Sequence, residues 1–488
     1  MVRSALFNTT VSGARSLALA GLVGTLSGSA LAQSPGRAAR ATPELLRSSS
    51  AFITPTASLA PVASAVVLPP ASLFTGPAPA GTAPDRVRDD GETPIDYDTA
   101  RYEPAGFPIV GGTSDIGVMG GAVFTLTRFE GGVRPYKWNM DLVASASEKP
   151  GPNGVEIAQQ NYLWQWDVPG LFNGRVRLNP AVSFERTINQ GYYGIGNATP
   201  VFPASAQGGN LARYNEFIAQ EARVRQLTRV KLTAALDLMV ATTYRYVVPE
   251  TYAGSRLLQD ASTPGANGLP PIRGLQPLSL AQLGVGVVYD TRDNEFFPHR
   301  GMYHQAGVKF VQGVPVEGDV RYGEAGAVLA GFLPVAHKLV VASRLLVDAQ
   351  AGNVPFYDLS RAGPFLSYDV IGGPQGVRGV PVGRYAGLLK AVANVEVRSM
   401  LAAFHTFGQS MHVGGDVFFD TGRAFSDYSL NAAGDGQGVG LKYGAGAGAF
   451  LQWGQAAIFR VDVAYSPDAV VEDPKLPLAF YVQDGMMF

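Results

Sequence analysis

The sequence lacks cysteine, has little charge and contains no long apolar run. Without cysteine the chain forms neither disulfides nor thiolate metal sites, and thiol catalysis is excluded. The 38 Lys and Arg residues balance 39 Asp and Glu residues. A protein that binds nucleic acid needs a clustered basic face, so we exclude nucleic acid as a partner. No uninterrupted apolar run reaches the roughly 20 residues of a spanning helix, so any membrane crossing has to use strands.

The residues that are abundant favour β structure. The chain holds 59 Gly, 20 Tyr and 25 Phe. This composition is rich in turn formers and in aromatics that suit a membrane interface, and poor in strong helix formers.

Residues 1–32 have the features of a secretory signal peptide. Arg3 and Arg15 give a positive start, Leu17–Leu26 is a short apolar run, and Ala30–Ala32 offers small residues for cleavage. Residues 33–104 are rich in Pro and Ala and then turn acidic, which predicts a flexible periplasmic segment. The alternative is a small folded module, although no helical or strand periodicity supports it.

From about residue 105 the sequence alternates between apolar and polar positions. In Val230–Val247, leucine, valine and tyrosine share one parity, while charged residues and threonines share the other. At about 18 residues, this segment is longer than an ordinary soluble strand and its apolar parity ends in tyrosines. A soluble sandwich also alternates, but it places the apolar face inward.

Sixteen candidate strands follow from this alternation and from the turn residues between them. They are 107–112, 116–128, 137–147, 155–168, 175–188, 211–226, 230–248, 280–290, 302–312, 320–333, 338–351, 388–401, 412–422, 438–452, 456–466 and 478–488. Long connections alternate with short ones, as in bacterial outer-membrane barrels. We therefore predict an all-β fold for residues 105–488, a 16-stranded antiparallel transmembrane β-barrel in the cell outer membrane of a Gram-negative bacterium.

One candidate site combines a loop arginine with two carboxylates. Parity places Glu396 and Asp420 on the lumenal face of neighbouring strands. Two such carboxylates repel each other unless a cation lies between them, and a guanidinium bridges two acceptors with its fixed fork of donors. Arg378, in the glycine-rich stretch Gly372–Gly379, is the candidate cation, and the loop that carries it would fold inward.

A row of glycines on the following strand would leave room for that loop. They share one parity and are Gly438, Gly440, Gly444, Gly446 and Gly448. A glycine face lets another backbone approach closely. The alternative is that these glycines only relieve strand curvature.

Candidate enzyme sites are weak in this sequence. The five histidines lack metal-ligand spacing, and no Gly-x-Ser-x-Gly nucleophile elbow is present. A charged group that could suggest catalysis is better explained as a tight turn held by side-chain hydrogen bonds. Its residues are Asp290, Arg292, Asp293, Pro298 and Gly301. We expect no enzyme, no metal and no cofactor.

Three blocks in order carry a family resemblance: GGPQGVRGV at 372–380, NVEVR at 394–398 and VFFDTGRAF at 417–425. Together they resemble the barrel signature of the BamA/TamA-type outer-membrane assembly and secretion superfamily, also called bacterial surface antigen barrels. YDTRDNEFFPHRG at 289–301 is similar to a periplasmic turn of that family, and GYYGIGNATP at 191–200 to a loop of some members.

The resemblance implies roles for several of these residues. It places Arg378 on the sixth extracellular loop, inside the barrel and paired with Asp420 and Glu396. The loop motif that carries the arginine also includes Gly372, Gly373, Val377 and Gly379. Because folded periplasmic modules are not evident in residues 33–104, the chain looks more like the short members that lack them.

The resemblance also implies a seam between the first and last strands. A short first strand, Phe107–Gly112, would pair with a last strand that Gly485 kinks before the terminal Phe488. An ordinary closed seam is the alternative.

The function that the resemblance implies is to move or insert protein or lipid at the outer membrane. Its partners would be outer-membrane lipid, a protein client or periplasmic partner, and the assembly machinery that inserts the chain itself. A passive pore and a surface adhesin or antigen remain alternatives.

Overall fold

The structure is a computed structural model that describes residues 96–113, 117–151, 154–201, 213–262, 271–314, 320–406, 408–429, 432, 434–454, 457–469 and 478–488. The signal peptide predicted for residues 1–32 lies outside the described residues. So do residues 33–95 of the predicted flexible segment.

Sixteen long strands form one antiparallel sheet, in chain order. Their bounds are β1 (Arg101–Thr113), β2 (Gly117–Phe129), β3 (Trp138–Gly151), β4 (Gly154–Gly170), β5 (Val176–Gly191), β6 (Glu216–Lys231), β7 (Leu236–Thr251), β8 (Leu278–Asp290), β9 (Gly301–Gly313), β10 (Arg321–Ala336), β11 (Leu339–Asn353), β14 (Leu389–Thr406), β15 (Gln409–Phe425), β16 (Lys442–Trp453), β17 (Ala457–Tyr465) and β18 (Leu478–Asp484). The prediction of an all-β chain with sixteen antiparallel strands is confirmed.

The remaining elements are short. The connection between β11 and β14 contains a 3₁₀ turn (Phe356–Asp358) and the two-residue strands β12 (Arg361–Ala362) and β13 (Tyr368–Asp369), which pair with each other. Two short helices are α1 (Leu171–Gly174) and α2 (Arg256–Ser262). Within the described residues, no helix is both long enough and apolar enough to span a bilayer.

The two faces of the sheet are opposite to those of a soluble sandwich. On β7 the side chains of Asp237 and Arg245 are buried, whereas Tyr244 and Tyr246 are 48% and 46% exposed. The same holds on β15, where Asp416 and the residues of its parity from Gly414 to Ala424 are buried. A sheet with a buried polar face and an exposed apolar one suits a lipid environment.

Several predicted strand bounds differ from those observed, and three of the differences change the description of the sheet. The first strand has thirteen residues and begins at Arg101, so it is not short and residues 101–104 belong to the sheet. Val230–Val247 is not one strand, because a turn separates β6 from β7. The hydroxyl of Thr233 accepts hydrogen bonds from the amides of Ala235 and Leu236 there, a turn signal that involves neither Gly nor Pro.

The third error concerns the end of the chain. The last strand stops at Asp484 rather than continuing to Phe488. Gly485 follows it with φ of +84°, a left-handed conformation that interrupts an extended strand.

The two ends of the strand order approach each other. β1 and β18 are the terminal strands and are not hydrogen-bonded neighbours in the described sheet. Yet the rings of Phe107 in β1 and Phe459 in β17 lie 4.3 Å apart. In addition, the side-chain amide of Gln409 in β15 donates to the carbonyl of Pro104, at 2.9 Å.

The long connection between β11 and β14 packs against the buried face. Val370, Ile371, Val377 and Val380 form an apolar cluster with strand residues such as Val392. This cluster holds the glycine-rich stretch against β10, β11, β14 and β15 and so positions the candidate site.

Candidate functional site

Arg378 and Asp420 form the centre of the site. The Nε of Arg378 donates to Oδ2 of Asp420 at 2.7 Å and its Nη2 donates to Oδ1 at 2.9 Å. The backbone amide of Arg378 also donates to Oδ2, at 3.1 Å. Both side chains are fully buried. This is the bidentate geometry in which a guanidinium binds a carboxylate most strongly.

Glu396 completes the arrangement predicted from strand parity. Its Oε1 lies 2.8 Å from Nη1 of Arg378, and its side chain is also fully buried. Asn394 lies two residues before Glu396 on β14. Its side-chain amide donates to Oδ1 of Asp420 at 2.8 Å and to the carbonyl of Gly376 at 2.9 Å. The structure therefore brings together Arg378, Glu396 and Asp420.

A third carboxylate, Asp462 of β17, was not assigned to the site from the sequence. Its Oδ2 lies 3.3 Å from Nη1 of Arg378. The alternation in Phe459–Tyr465 places Asp462 on the polar face. That signal gives the face of the residue but not the loop that it meets.

Two further arginines connect these carboxylates. Arg460 donates to Asp462 at 2.7 Å and to Glu396 at 2.9 Å, and Arg398 donates to the other oxygen of Glu396 at 2.8 Å. Acids and bases alternate through the cluster, so each buried charge has an opposite charge beside it. Such a network is costly to break at one member, because a buried charge is left unpaired.

The loop approaches β15 and β16 very closely. The guanidinium carbon of Arg378 lies 3.4 Å from the centre of the Phe418 ring, a cation–π contact. A Cβ added at Gly444 would overlap the carbonyl oxygen of Arg378, so this position has space only for glycine. Gly438 and Gly440, predicted in the same glycine face, instead lie before β16 with φ of +77° and +55°.

Gly379 ends the arginine stretch in a conformation that favours glycine. Its φ is +91°, and an added Cβ would lie 2.8 Å from the carbonyl carbon of Tyr465. The amide of Gly379 donates to the hydroxyl of Tyr481 in β18, at 2.9 Å. The motif glycines Gly372 and Gly373 also have positive φ.

The first half of the connection is fastened to other strands. Arg245 of β7 lies 2.9 Å from Glu221 of β6 and 2.9 Å from Asp358 of the 3₁₀ turn. Arg361 donates to the same Glu221 at 2.9 Å. Burial acts to raise the pKa of Asp358, but Arg245 and Arg361 outweigh it and hold that pKa below its ordinary value.

The segment between β8 and β9 is a turn held by its own side chains. Arg292 donates to both oxygens of Asp290, at 2.9 and 2.8 Å. Asp293 accepts the amides of His299 and Arg300 at 2.9 and 3.2 Å. Pro298 is buried, and Gly301 opens β9 with φ of +106°.

The same turn contacts distant strands, which sequence reasoning missed. Phe297 is 2% exposed, and its ring centre lies 5.2 Å from that of Phe450 in β16. Glu295 lies 3.3 Å from Arg177 of β5. Burial raises the pKa of Glu295 to about 7, although Arg177 acts in the opposite direction. The sequence signal that could have indicated this contact is the pair of adjacent phenylalanines, Phe296 and Phe297, that follows the charged residues of the turn.

The end of the chain turns towards the buried cluster. After Gly485, the carbonyl oxygen of Phe488 accepts a hydrogen bond from Arg398 at 3.0 Å. The Phe488 ring centre lies 4.8 Å from the guanidinium carbon of Arg398 and 6.4 Å from the ring centre of Phe332. Glu396 thus contacts both Arg378 and the arginine that holds Phe488. In the described part of the chain, no three acidic or histidine side chains converge as metal ligands would.

The chain is similar to a known protein family. The profile described as the Omp85 superfamily domain matches residues 160–481. No curated protein matches the sequence significantly.

Several solved structures are similar. BamA from Haemophilus ducreyi lacking POTRA domains 1–3 is 15% identical, with a TM-score of 0.44 over 80% of this chain and 70% of that one. CdiB from Escherichia coli is 14% identical, with a TM-score of 0.46 over 78% and 61%. CdiB from Acinetobacter baumannii is 13% identical, with a TM-score of 0.40 over 76% and 58%.

The profile match extends from β4 to β18 and includes all three sequence blocks that carried the resemblance. It confirms the relationship that those blocks indicated. Because the match covers more than half of the sequence, this chain belongs to the Omp85 superfamily.

Proposed function

We propose that this protein is a closed outer-membrane β-barrel of a Gram-negative bacterium that assembles or translocates protein, or moves lipid, at that membrane. Its opening would be the seam between β1 and β18. The loop that carries Arg378 would keep β14, β15 and β17, on the β18 side of that seam, rigid. The observation that carries this proposal is the side-chain contact between β1 and β17, next to the last strand, while β1 and β18 are not hydrogen-bonded neighbours in the described sheet.

Closure of the sheet is supported by distance. β1 and β17 are separated by fourteen strand steps in the sheet order. At about 4.8 Å for each step, a flat sheet would hold them roughly 65 Å apart. The Phe107 ring in β1 and the Phe459 ring in β17 lie 4.3 Å apart instead, which supports a sheet that curls until its edges meet. In lipid, a closed sheet also satisfies backbone groups that an open edge would leave unpaired.

The edge strands are unequal, which supports a seam that opens. β1 has thirteen residues, and β18 has seven. β18 therefore offers few backbone groups to a partner strand. A joint with few ladder hydrogen bonds separates at a lower free-energy cost than the rest of the sheet.

The wall formed by β14, β15 and β17, on the β18 side of the seam, is held firmly instead, since Arg378 binds all three strands at once. The loop and the β8–β9 turn also occupy the buried face, which argues against a wide passive pore. Planar-bilayer recording tests this: we expect low conductance from the wild type, and a stable wide conductance would favour the pore.

Crosslinking tests the seam. Because the chain has no cysteine, an introduced pair supplies its only thiols. Phe107→Cys with Phe459→Cys, joined by a short bis-maleimide, would tie β1 to β17. We expect this crosslink to block client assembly or secretion in cells and reductive cleavage of a disulfide version to restore it. Full activity with the crosslink in place would remove the seam model.

The matched control is Phe107→Cys with Val123→Cys. These residues are register partners in β1 and β2, so their crosslink adds no connection across the seam. It should leave activity unchanged.

The partners that we infer under this proposal are outer-membrane lipid, a protein client or periplasmic protein, and the machinery that inserts the chain.

The loop needs its own test. Arg378→Ala should increase conductance fluctuations and proteolysis within residues 354–388, because three carboxylates lose their shared cation. Arg378→Lys keeps the positive charge but not the bidentate geometry. It should therefore recover only part of the wild-type resistance of residues 354–388 to proteolysis. Arg300→Ala, at an exposed position, is the control. Unchanged behaviour of Arg378→Ala in both assays would refute the role of the loop.

A further inference from the structure

A cavity of about 120 Å³ lies between the buried face of β4–β8 and the loop segment around Phe365–Asp369. Its wall includes the neighbouring arginines Arg223 and Arg225 and the polar side chains Ser183, Thr243 and Gln282. The cavity is separate from the Arg378 cluster. Four arginines and two carboxylates line it, and three of these arginines are already paired with Glu221, which leaves Arg225.

Arg225 is unusual among the buried arginines. It is 5% exposed, and its Nε and Nη2 have no hydrogen-bond partner in the described part of the chain. These two atoms form one edge of the guanidinium. In arginine–oxyanion pairs generally, such an edge donates to two oxygens of the oxyanion at once.

Other buried arginines of this protein use that same edge on a carboxylate. Arg378 holds Asp420 in this way, at 2.7 and 2.9 Å. Arg245 holds Glu221 at 2.9 and 3.1 Å, between the same atom types. A buried guanidinium without an acceptor carries a large desolvation cost. The open edge of Arg225 therefore calls for an acceptor from outside the chain.

The sheet register gives Arg225 no acidic partner in the described part of the chain, and the loop carboxylate of the wall, Asp369, already accepts a hydrogen bond from the hydroxyl of Ser360. Across the ladder, Arg225 stands between Ala181 and Thr243, and neither is acidic. Glu221, four residues along the strand, already lies beside three arginines. Glu185 is opposite Glu221 and so lies roughly 13 Å further along the strands than Arg225.

We propose that this cavity binds a phosphate group, on the free edge of Arg225. Ser183, Thr243 and Gln282 line the same space and supply further neutral donors. An array of several donors matches a tetrahedral oxyanion with more oxygens than a carboxylate has. A cavity of about 150 Å³ accepts benzene, so this one has space for a single phosphate group. The group comes either from free phosphate or from a lipid headgroup.

The experiment measures the unfolding temperature of the full chain in detergent, with inorganic phosphate added at ionic strength held constant by sodium chloride. A ligand that binds only the native state raises this temperature with its concentration. We expect phosphate to raise it for the wild type and for Lys231→Gln, which removes a positive charge from the same strand outside the cavity wall.

Arg225→Met should weaken the apparent phosphate affinity by roughly tenfold or more, since a charge-assisted bidentate contact is lost. Arg225→Lys keeps the charge without the paired donors, so its apparent phosphate affinity should lie between that of the wild type and that of Arg225→Met. If Arg225→Met responds to phosphate like the wild type, the site is refuted. If chloride or acetate stabilises the wild type as well as phosphate does, the effect is one of ionic strength or of any anion, and the proposal fails.

Two arms distinguish the source of the phosphate. Inorganic phosphate alone tests the free ion, and dihexanoyl phosphatidic acid below its micelle concentration tests a headgroup. A response to either one that depends on Arg225 supports the site and identifies its source. If neither probe shifts the unfolding temperature of the wild type, the proposal is overturned.

Discussion

Arg378 and Asp420 bind each other through two parallel hydrogen bonds while both side chains are fully buried, although 42 residues separate them in the sequence. Asp420 also accepts the backbone amide of Arg378. One carboxylate thus fixes both the side chain and the backbone of the loop at this point.

Replacing Asp420 by Asn should therefore destabilise the protein strongly. The change leaves a buried guanidinium with one fewer counter-charge, and breaking such a pair costs about 3–5 kcal/mol. Urea unfolding in lipid vesicles, followed by tryptophan fluorescence, measures the effect. Asp427→Asn, at an exposed position two residues after β15, is the control. A loss below about 1 kcal/mol for Asp420→Asn would show that Glu396 and Asp462 suffice.

Replacing Gly444 by Ala should displace the loop without removing any charge. The new Cβ would overlap the carbonyl oxygen of Arg378, and overpacking of this kind costs about 1–3 kcal/mol. Limited proteolysis within residues 354–388, together with urea unfolding, reports the displacement. Gly331→Ala in β10 is matched, because the nearest atom to its added Cβ is 3.8 Å away. Equal behaviour of the two variants would show that the loop does not need the glycine surface.

Glu295 should make stability depend on pH. Its pKa is about 7 in the folded protein against an ordinary value of 4.5. Between these values the folded state binds more protons than the unfolded state, so the free energy of unfolding should fall as pH rises from 4.5 to 7. The shift corresponds to about 3 kcal/mol.

Glu295→Gln should remove that part of the pH dependence and be the more stable protein at pH 8. The measurement is the difference in unfolding free energy between wild type and variant at a series of pH values. Glu250→Gln, exposed on β7, should leave the slope unchanged. A constant difference between pH 4.5 and 8 would mean that folding does not raise the pKa of Glu295.

Phe297→Ala should destabilise the turn and loosen its contact with β16. A buried phenylalanine truncated to alanine costs about 3–5 kcal/mol. Because the turn occupies the buried face, single-channel conductance should also rise. Phe172→Ala provides a matched control, since Phe172 is 75% exposed. Unchanged conductance together with lowered stability would show that the turn supports the fold without obstructing the interior.

Alternation along the chain was enough to predict the strands and their faces. Side chains alternate with period two in any strand, so Glu396 and Asp420 could be assigned to the polar face from local sequence alone. Strand ends were predicted less well where turns lack Gly and Pro, as at Thr233, and where the sheet begins in the Pro-rich segment at Arg101.

What the sequence determined by itself is therefore the class of fold, the number of strands and the face on which Glu396 and Asp420 lie. Which buried charges meet was decided only by the tertiary structure. Asp462 reaches Arg378 across 84 residues, and Phe297 reaches Phe450 across an even longer separation. The open edge of Arg225 is likewise invisible in the sequence. The physical reason is that alternation is a local property of the backbone, whereas these contacts depend on the curvature of the sheet and on the path of a loop across its buried face.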